Sequence, residues 1–233
     1  MTRKRALIIG ASSGIGEATA VALADLGWSV TAIARRMERL RNLSNGRDNI
    51  EVREVDVSDV NALEKVISDC NPIDAIVYAA GWNLSERELN VLDPLDWYTS
   101  MSINIDGAFH ATRFVLPQMR GRGGVIVYVS SISATEPDGS GAAYQASKRA
   151  LHGLAHAVTI EESQHGVRAS LVLPGLTATE LNYKRRVPPS DDERALFLTP
   201  EDVAATIVHI CTLPPRVMIT ELTIVPTAAA RNR

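Results

Sequence analysis

Short apolar runs alternate with longer amphipathic segments along most of the chain. Runs of strand length, several rich in β-branched residues, favour buried parallel strands, and apolar or small residues at helical spacing favour helices. The pattern predicts seven strands, at 6–9, 29–34, 51–55, 73–79, 125–130, 167–173 and 218–225. It predicts helices at 14–26, 37–43, 58–70, 97–119, 142–165 and 199–212, the third capped by Ser58.

The alternation of strand and helix predicts an α/β class fold, with a doubly wound, seven-stranded parallel sheet and helices on both faces. No repeat, low-complexity stretch or linker divides the sequence, so residues 1–233 are expected to form a single domain. The polar segment 177–198 is interrupted by two prolines and is predicted to be a lid over an active site.

Composition narrows the class of protein. The 233 residues carry 24 Lys+Arg and 27 Asp+Glu, a formal net charge of −3, which argues against a general nucleic-acid binder. Two distant cysteines, Cys70 and Cys211, give neither a disulfide framework nor a metal motif, so no metal site is predicted. No apolar stretch reaches the length of a signal sequence core or a membrane span. A cytoplasmic protein without membrane or nucleic-acid partners is therefore expected.

A glycine-rich turn follows the first predicted strand directly. Gly10, Gly14 and Gly16 are spaced GxxxGxG and lead into the first helix. In a doubly wound sheet a dinucleotide binds outside the carboxyl ends of the strands, where the helix N-terminus suits a pyrophosphate and glycines allow close approach. The other interpretation is a strand-to-helix turn with small residues for packing.

A tyrosine and a lysine are placed for acid–base chemistry. Tyr144 and Lys148 are four residues apart in a predicted helix, so their side chains share one face. A nearby ammonium favours the phenolate and lowers the pKa of the tyrosine, which makes it a usable proton donor or acceptor. Ser131, at the end of the fifth predicted strand, borders the same crevice and is a candidate to hydrogen-bond a substrate oxygen.

Segments 9–16, 124–131 and 143–148 together resemble the motifs of the classical short-chain dehydrogenase/reductase family, which implies a Rossmann-type fold. The chain departs from the family pattern at Ile9, where threonine is usual, and at Tyr78-Ala79, where two asparagines are usual. The tail, 198–204 and 220–227, is similar to the NADP-dependent 3-hydroxy acid (serine-type) branch. The resemblance implies four catalytic residues: Asn104, Ser131, Tyr144 and Lys148.

The cofactor implied by the resemblance is NADP(H) in preference to NAD(H). Ala34 stands where NAD-binding relatives carry an aspartate, and Arg35 follows it, as in members that bind a 2′-phosphate. The alternative is that Arg35 and Arg36 form the solvated start of a helix. The implied cofactor-binding residues are Gly10, Ser12, Ser13, Gly14, Ile15, Gly16, Arg35, Arg36, Asp56, Val57, Ala80, Gly81, Tyr144, Lys148, Pro174, Gly175, Thr177 and Thr179.

The implied activity is that of a carbonyl reductase: hydride transfer between nicotinamide and a small carbonyl or secondary-alcohol substrate, with Tyr144 exchanging the proton. The alternative is a non-catalytic NADP(H)-binding sensor. For each catalytic candidate a plain alternative stays open: a surface tyrosine beside a solvated lysine, a strand-end serine bound to backbone, and an asparagine satisfying a helix distortion.

Substrate and assembly are less defined by the sequence. Lys184-Arg185-Arg186 in the predicted lid would suit a carboxylate, or are simply solvated charges. Trp82 and Leu176 line an apolar pocket or serve packing alone. The helices 97–119 and 142–165 are apolar or small around much of their circumference, which predicts a homodimer or homotetramer, the alternative being packing within the monomer.

Overall fold

The computed structural model describes residues 3–183 and 188–230. Across these residues, seven parallel strands form one sheet in the order β3-β2-β1-β4-β5-β6-β7, which confirms the predicted fold class. The strands are β1 (Arg5–Ile9), β2 (Ser29–Ala34), β3 (Ile50–Glu54), β4 (Ala75–Tyr78), β5 (Gly124–Val129), β6 (Val167–Pro174) and β7 (Glu221–Ile224).

Helices cover both faces of the sheet. Those in the described residues are α1 (Gly14–Asp25), α2 (Met37–Ser44), α3 (Val60–Asp69), α4 (Pro94–Met101), α5 (Gly107–Met119), α6 (Ala142–Glu162), α7 (Glu180–Tyr183), α8 (Asp191–Arg194), α9 (Pro200–Thr212) and α10 (Thr227–Ala230). The core residues of α3, α5 and α6 pack on one face, and those of α1, α2 and α9 pack on the other. None of the described helices is long and apolar enough to cross a bilayer.

The two faces explain why the central strands read as unbroken apolar runs. In β1, Leu7 and Ile9 point into the core under α3, α5 and α6, while Ala6 and Ile8 point to the opposite core. Successive side chains of a strand alternate between faces, so a strand buried on both sides needs apolar residues throughout. The chain order reverses between β1 and β4, and this reversal opens a crevice at the carboxyl ends of the strands.

The helix predicted over 97–119 is interrupted. It consists of α4, a π-helical segment Ser102–Asp106, and α5. Periodicity cannot reveal this break, because the π turn keeps apolar residues on the buried side while Asn104 at its centre bonds to groups outside the helix. The predicted cap of α3 is also wrong. Asp59 caps the helix by accepting from the Ala62 amide, and Ser58 instead donates to Asp56.

The described residues of segment 177–198 include two short helices, α7 and α8, and Thr177 bridges to Leu198. The basic triplet at 184–186 lies outside the described residues. Its role as part of a lid, and the organisation of residues 1–233 as a single domain, stay predictions.

Candidate active site

The glycine turn between β1 and α1 is a tightly packed backbone cradle. Gly10 has a φ of +90°, and a Cβ there would lie 2.5 Å from the Ala80 amide nitrogen. The amides of Gly10 and Ala11 both donate to the Ile33 carbonyl at the end of β2, at 2.9 and 3.1 Å. The Ser13 side chain makes no capping bond to α1, so the first amides of that helix remain for an anion. The turn therefore fits a pyrophosphate approached by backbone.

A cleft of about 380 Å³ opens beside this turn at the carboxyl ends of the strands. Most of the sequence-predicted residues line it. Those in the lining are Gly10, Ser12, Ser13, Gly14, Ile15, Arg35, Arg36, Asp56, Val57, Ala80, Gly81, Ser131, Tyr144, Lys148, Pro174, Gly175, Thr177 and Thr179. Two predicted residues lie behind the wall. Gly16 packs under the turn against the Gly10 carbonyl, and Asn104 is fully buried.

Tyr144 and Lys148 lie on the same face of α6, as their spacing predicts. The Lys148 ammonium is 5.7 Å from the centre of the Tyr144 ring, and it donates to the Val129 carbonyl at 2.9 Å. Burial lowers the pKa of Lys148 to about 8. At neutral pH the lysine is thus still mainly protonated, and it places a positive charge beside the phenol in a poorly solvated site.

Ser131 belongs to a small hydroxyl network that the sequence reasoning missed. Its Oγ donates to Ser133 Oγ at 3.1 Å, and Ser133 Oγ donates to the Asp138 carboxylate at 2.5 Å. Ser131 Oγ also accepts from the Ser133 amide at 3.2 Å. The network holds the Ser131 hydroxyl at the cleft wall. Its place four residues after the end of β5 is the only local signal for Ser133 in the sequence, and Asp138 has none.

Asn104 joins three parts of the fold behind the cleft. Its Oδ1 accepts from the Trp82 amide at 2.7 Å, and its Nδ2 donates to the Trp82 carbonyl at 3.0 Å. Nδ2 also lies 2.9 Å from Ser147 Oγ, and that hydroxyl donates to the Tyr144 carbonyl at 2.9 Å. Asn104 is therefore part of a helix distortion, and it also connects that distortion to the turn of α6 that carries Tyr144.

A basic cluster forms the other end of the cleft. Arg36 donates to Ser12 Oγ at 2.9 Å and to Ser13 Oγ at 2.6 Å, and it pairs with the Glu180 carboxylate at 2.6 Å. Arg39 pairs with the same carboxylate. Although partial burial opposes it, the hydrogen bond from Arg36, reinforced by Arg39, lowers the pKa of Glu180. The cluster is two guanidinium groups around one anion, and the sequence reasoning missed both Arg39 and Glu180.

Two further predicted cofactor-binding residues, Arg35 and Asp56, lie side by side at the cleft edge. Arg35 and Asp56 approach to 3.8 Å, with the arginine side chain 61% exposed. Burial alone would raise the pKa of Asp56, but hydrogen bonds from the Ser58 amide and hydroxyl, with the nearby Arg35, lower it. Asp56 is therefore ionised at neutral pH and remains an acceptor.

The wall beyond Tyr144 is polar. Asn83 and Arg87 line the cleft there, Asn83 donating to the Ser140 carbonyl at 3.1 Å and Arg87 packing against Gly141. Of the two residues for which the sequence leaves pocket lining and packing open, Trp82 lines the cleft and also packs against the core, whereas Leu176 is not among the described lining residues. Asn83 and Arg87 follow β4 in an irregular segment and carry no sequence motif.

Known proteins resemble this chain over nearly its whole length. A family model described as short chain dehydrogenase matches residues 4–189. Sulfoacetaldehyde reductase 2 of Chromohalobacter salexigens is 32% identical, covering 96% of this chain and 94% of the relative. A serine dehydrogenase solved in its closed form with NADP⁺ superposes with a TM-score of 0.88 at 30% identity, covering 96% of this chain and 95% of that one. An alcohol dehydrogenase of the archaeon Thermococcus sibiricus, complexed with 5-hydroxy-NADP, gives 0.86 at 25% identity and 97% coverage of both chains.

Proposed function

The chain belongs to the short-chain dehydrogenase family of oxidoreductases, and we propose that it is an NADP(H)-dependent enzyme that interconverts a small carbonyl compound and its alcohol. The observation that carries the proposal is the placement of Ser131, Tyr144 and Lys148 along one cleft that begins at the glycine turn. A cofactor-sensing protein without turnover has no need of this proton-transfer set, so catalysis is the better explanation.

Each of the three side chains has a distinct task in reduction. Ser131 turns its hydroxyl proton from Ser133 to the substrate and donates a hydrogen bond to the carbonyl oxygen, which holds that oxygen near the Tyr144 hydroxyl. Tyr144 gives its proton to the oxygen as charge develops there, and the Lys148 ammonium stabilises the phenolate left behind. NADPH, when bound along the cleft, supplies the hydride. In the oxidative direction Tyr144 accepts the alcohol proton instead.

The preference for NADP(H) is supported by the basic cluster. Arg36 and Arg39 surround the position next to Ser12 and Ser13, at the carboxyl end of β2, where a 2′-phosphate would extend from the adenosine ribose. Planar guanidinium groups bind phosphate through paired, charge-assisted hydrogen bonds. Binding would exchange the Glu180 carboxylate for the phosphate as the anion between the two arginines. The bound ligands of the serine dehydrogenase and the archaeal alcohol dehydrogenase agree with this choice.

Replacing Arg36 with alanine should raise the KM for NADPH by about 10- to 100-fold, the effect of losing charge-assisted hydrogen bonds to phosphate, and leave the KM for NADH within about twofold. Initial rates with both cofactors measure this. Arg41→Ala, at an exposed arginine of α2, the helix that Arg36 directly precedes, is the matched control and should change neither value. An equal loss with both cofactors would contradict a phosphate site at Arg36.

The proposed substrate is a small aldehyde or hydroxy acid with an anionic end. Arg87 supplies a positive charge on the cleft wall close to the start of α6, and the two named relatives, a sulfoacetaldehyde reductase and a serine dehydrogenase, support this class. NADPH oxidation across sulfoacetaldehyde, 3-oxo acids, neutral aldehydes and ketones tests both catalysis and the class. Absence of turnover throughout, with NADPH still bound, would favour a sensor.

Self-association is proposed from exposed apolar side chains on the helices of one face. Leu95 and Tyr98 on α4, Phe109 on α5 and Ile160 on α6 are all exposed. Apolar side chains concentrated on neighbouring helices favour burial against a second copy. Sedimentation velocity distinguishes a dimer or tetramer from a monomer.

A further inference from the structure

Tyr78 lies at the end of β4, where the family motif has an asparagine, and it is almost completely buried. Its hydroxyl donates to the carbonyl of Ile103 at 2.5 Å. Burial raises the pKa of this phenol above its ordinary value, so it keeps its proton and acts as a donor. The tyrosine thus makes a specific bond to backbone 25 residues away in the sequence.

The acceptor belongs to the π-helical segment Ser102–Asp106 and immediately precedes Asn104. On one side of this segment, Tyr78 holds the Ile103 carbonyl to β4. On the other side, the Asn104 side chain holds the segment to Trp82 and to Ser147 of α6. A π turn interrupts the regular helical bonding, so its position depends on such external contacts.

Gly107, the first residue of α5, leaves room for the Tyr78 hydroxyl. A Cβ at Gly107 would overlap the Tyr78 hydroxyl and would lie 3.1 Å from Val57 Cβ. Gly107 has an ordinary helical φ of −58°, so backbone conformation does not require glycine there. The residue is small because the tyrosine hydroxyl occupies the space that a side chain would fill.

We propose that Tyr78 is a positioning residue: its bond to Ile103 fixes the π-helical segment, so that the Asn104 amide meets Trp82 and Ser147 and supports the turn of α6 that bears Tyr144. Tyr78 touches neither the substrate nor the cofactor in this role. The contacts described above support the part of the proposal in which Tyr78 fixes the π-helical segment. The part in which this affects catalysis rests on the proposed function.

Tyr128 provides a matched control. It lies on β5, directly opposite Tyr78 in the sheet register, and is equally buried. Its hydroxyl is 2.6 Å from Thr112 Oγ1 on α5, and thus bonds outside the π-helical segment. Removing either hydroxyl takes one buried hydrogen bond from the same face of the sheet, but only the Tyr78 variant should affect Asn104.

Hydrogen exchange and steady-state kinetics on the intact chain test the proposal together. In Tyr78→Phe, amides of residues 102–106 should exchange about tenfold faster than in the wild type, the effect of losing one buried hydrogen bond, and in Tyr128→Phe they should not. With NADPH and sulfoacetaldehyde, or the best carbonyl compound of the screen, kcat of Tyr78→Phe should fall about tenfold while KM for NADPH stays within about twofold. The double variant Tyr78→Phe/Asn104→Ala should have nearly the same kcat as Asn104→Ala alone, because Tyr78 acts through Asn104.

A second variant keeps the test decisive if Tyr78→Phe is poorly folded. Gly107→Ala should lower the Tm of the wild type, and removing the Tyr78 hydroxyl in the same chain should recover part of that loss. Equal exchange in the Tyr78 and Tyr128 variants would overturn the fixing of the segment, and faster exchange with unchanged kcat would overturn the positioning role. Absence of turnover in the wild type would instead overturn the proposed function, while exchange still decides whether Tyr78 holds the segment.

Discussion

Replacing Tyr144 with phenylalanine is expected to lower kcat by about 10²- to 10⁴-fold, the usual contribution of a positioned general acid. The substitution removes only the hydroxyl that delivers the proton, and the ring still packs at the cleft wall. NADPH affinity, measured by fluorescence titration, should therefore change little. Single-turnover rates with saturating NADPH should show the same loss as kcat, because the missing group acts in the chemical step.

Tyr98→Phe is the matched control for this variant. Tyr98 lies on α4 with its side chain exposed, so loss of its hydroxyl should leave kcat and NADPH affinity unchanged. If Tyr144→Phe kept more than about a tenth of wild-type turnover, this result would contradict the role of Tyr144 as the general acid. The proton would then have to come from another group, and the Ser131–Ser133–Asp138 network would be the next candidate.

Lys148→Met should move activity and stability in opposite directions. Without the ammonium the Tyr144 phenolate loses its nearest positive charge, so kcat should fall by about 10²-fold or more. The folded protein, however, no longer has to bury a cation. The pKa of Lys148 drops from its ordinary 10.5 to about 8, and this shift corresponds to a burial cost of about 3 kcal/mol at neutral pH. After allowance for the lost bond to Val129, the unfolding free energy should rise by about 1 to 3 kcal/mol.

The pH dependence of that difference follows from the sign of the shift. Below pH 8 Lys148 is protonated in both the folded and the unfolded wild type, so the burial cost is present in full. Between about pH 8 and 10.5 the unfolded chain binds more protons than the folded one, and wild-type stability rises with pH relative to Lys148→Met. Urea unfolding at pH 7 and pH 9.5 should show the gap narrowing. Lys65→Met, an exposed lysine on α3, should show no such gap.

The sequence was informative where a local pattern decides the structure. Strand β2 has the predicted limits, 29–34, because its β-branched and small residues lie between Gly27, just after α1, and the charged pair Arg35-Arg36. Ser131, Tyr144 and Lys148 meet at one cleft because strand ends and the following helix starts share one edge of a parallel sheet.

The remaining features depend on contacts that are distant in the sequence. The π-helical break follows from bonds that Asn104 and Ile103 make to residues more than 20 positions away, so hydrophobic periodicity could not show it. Glu180 pairs with Arg36, which is 144 residues away in the sequence, and the residues around neither position predict this contact. Asp138 is close to Ser133 in sequence, but its carboxylate meets that hydroxyl only because of the irregular loop between them.

The contact between Tyr78 and Gly107 has a consequence for how this sequence could have arisen. A tyrosine hydroxyl at position 78 and a Cβ at position 107 require the same space. A chain with a side chain at 107 and a smaller residue at 78 would therefore lose stability if position 78 changed to tyrosine first. It would lose less if position 107 became glycine before, or together with, that change. In the opposite direction, a side chain at 107 costs least after the tyrosine hydroxyl has been removed, so the stability of each intermediate depends on the order of the two substitutions.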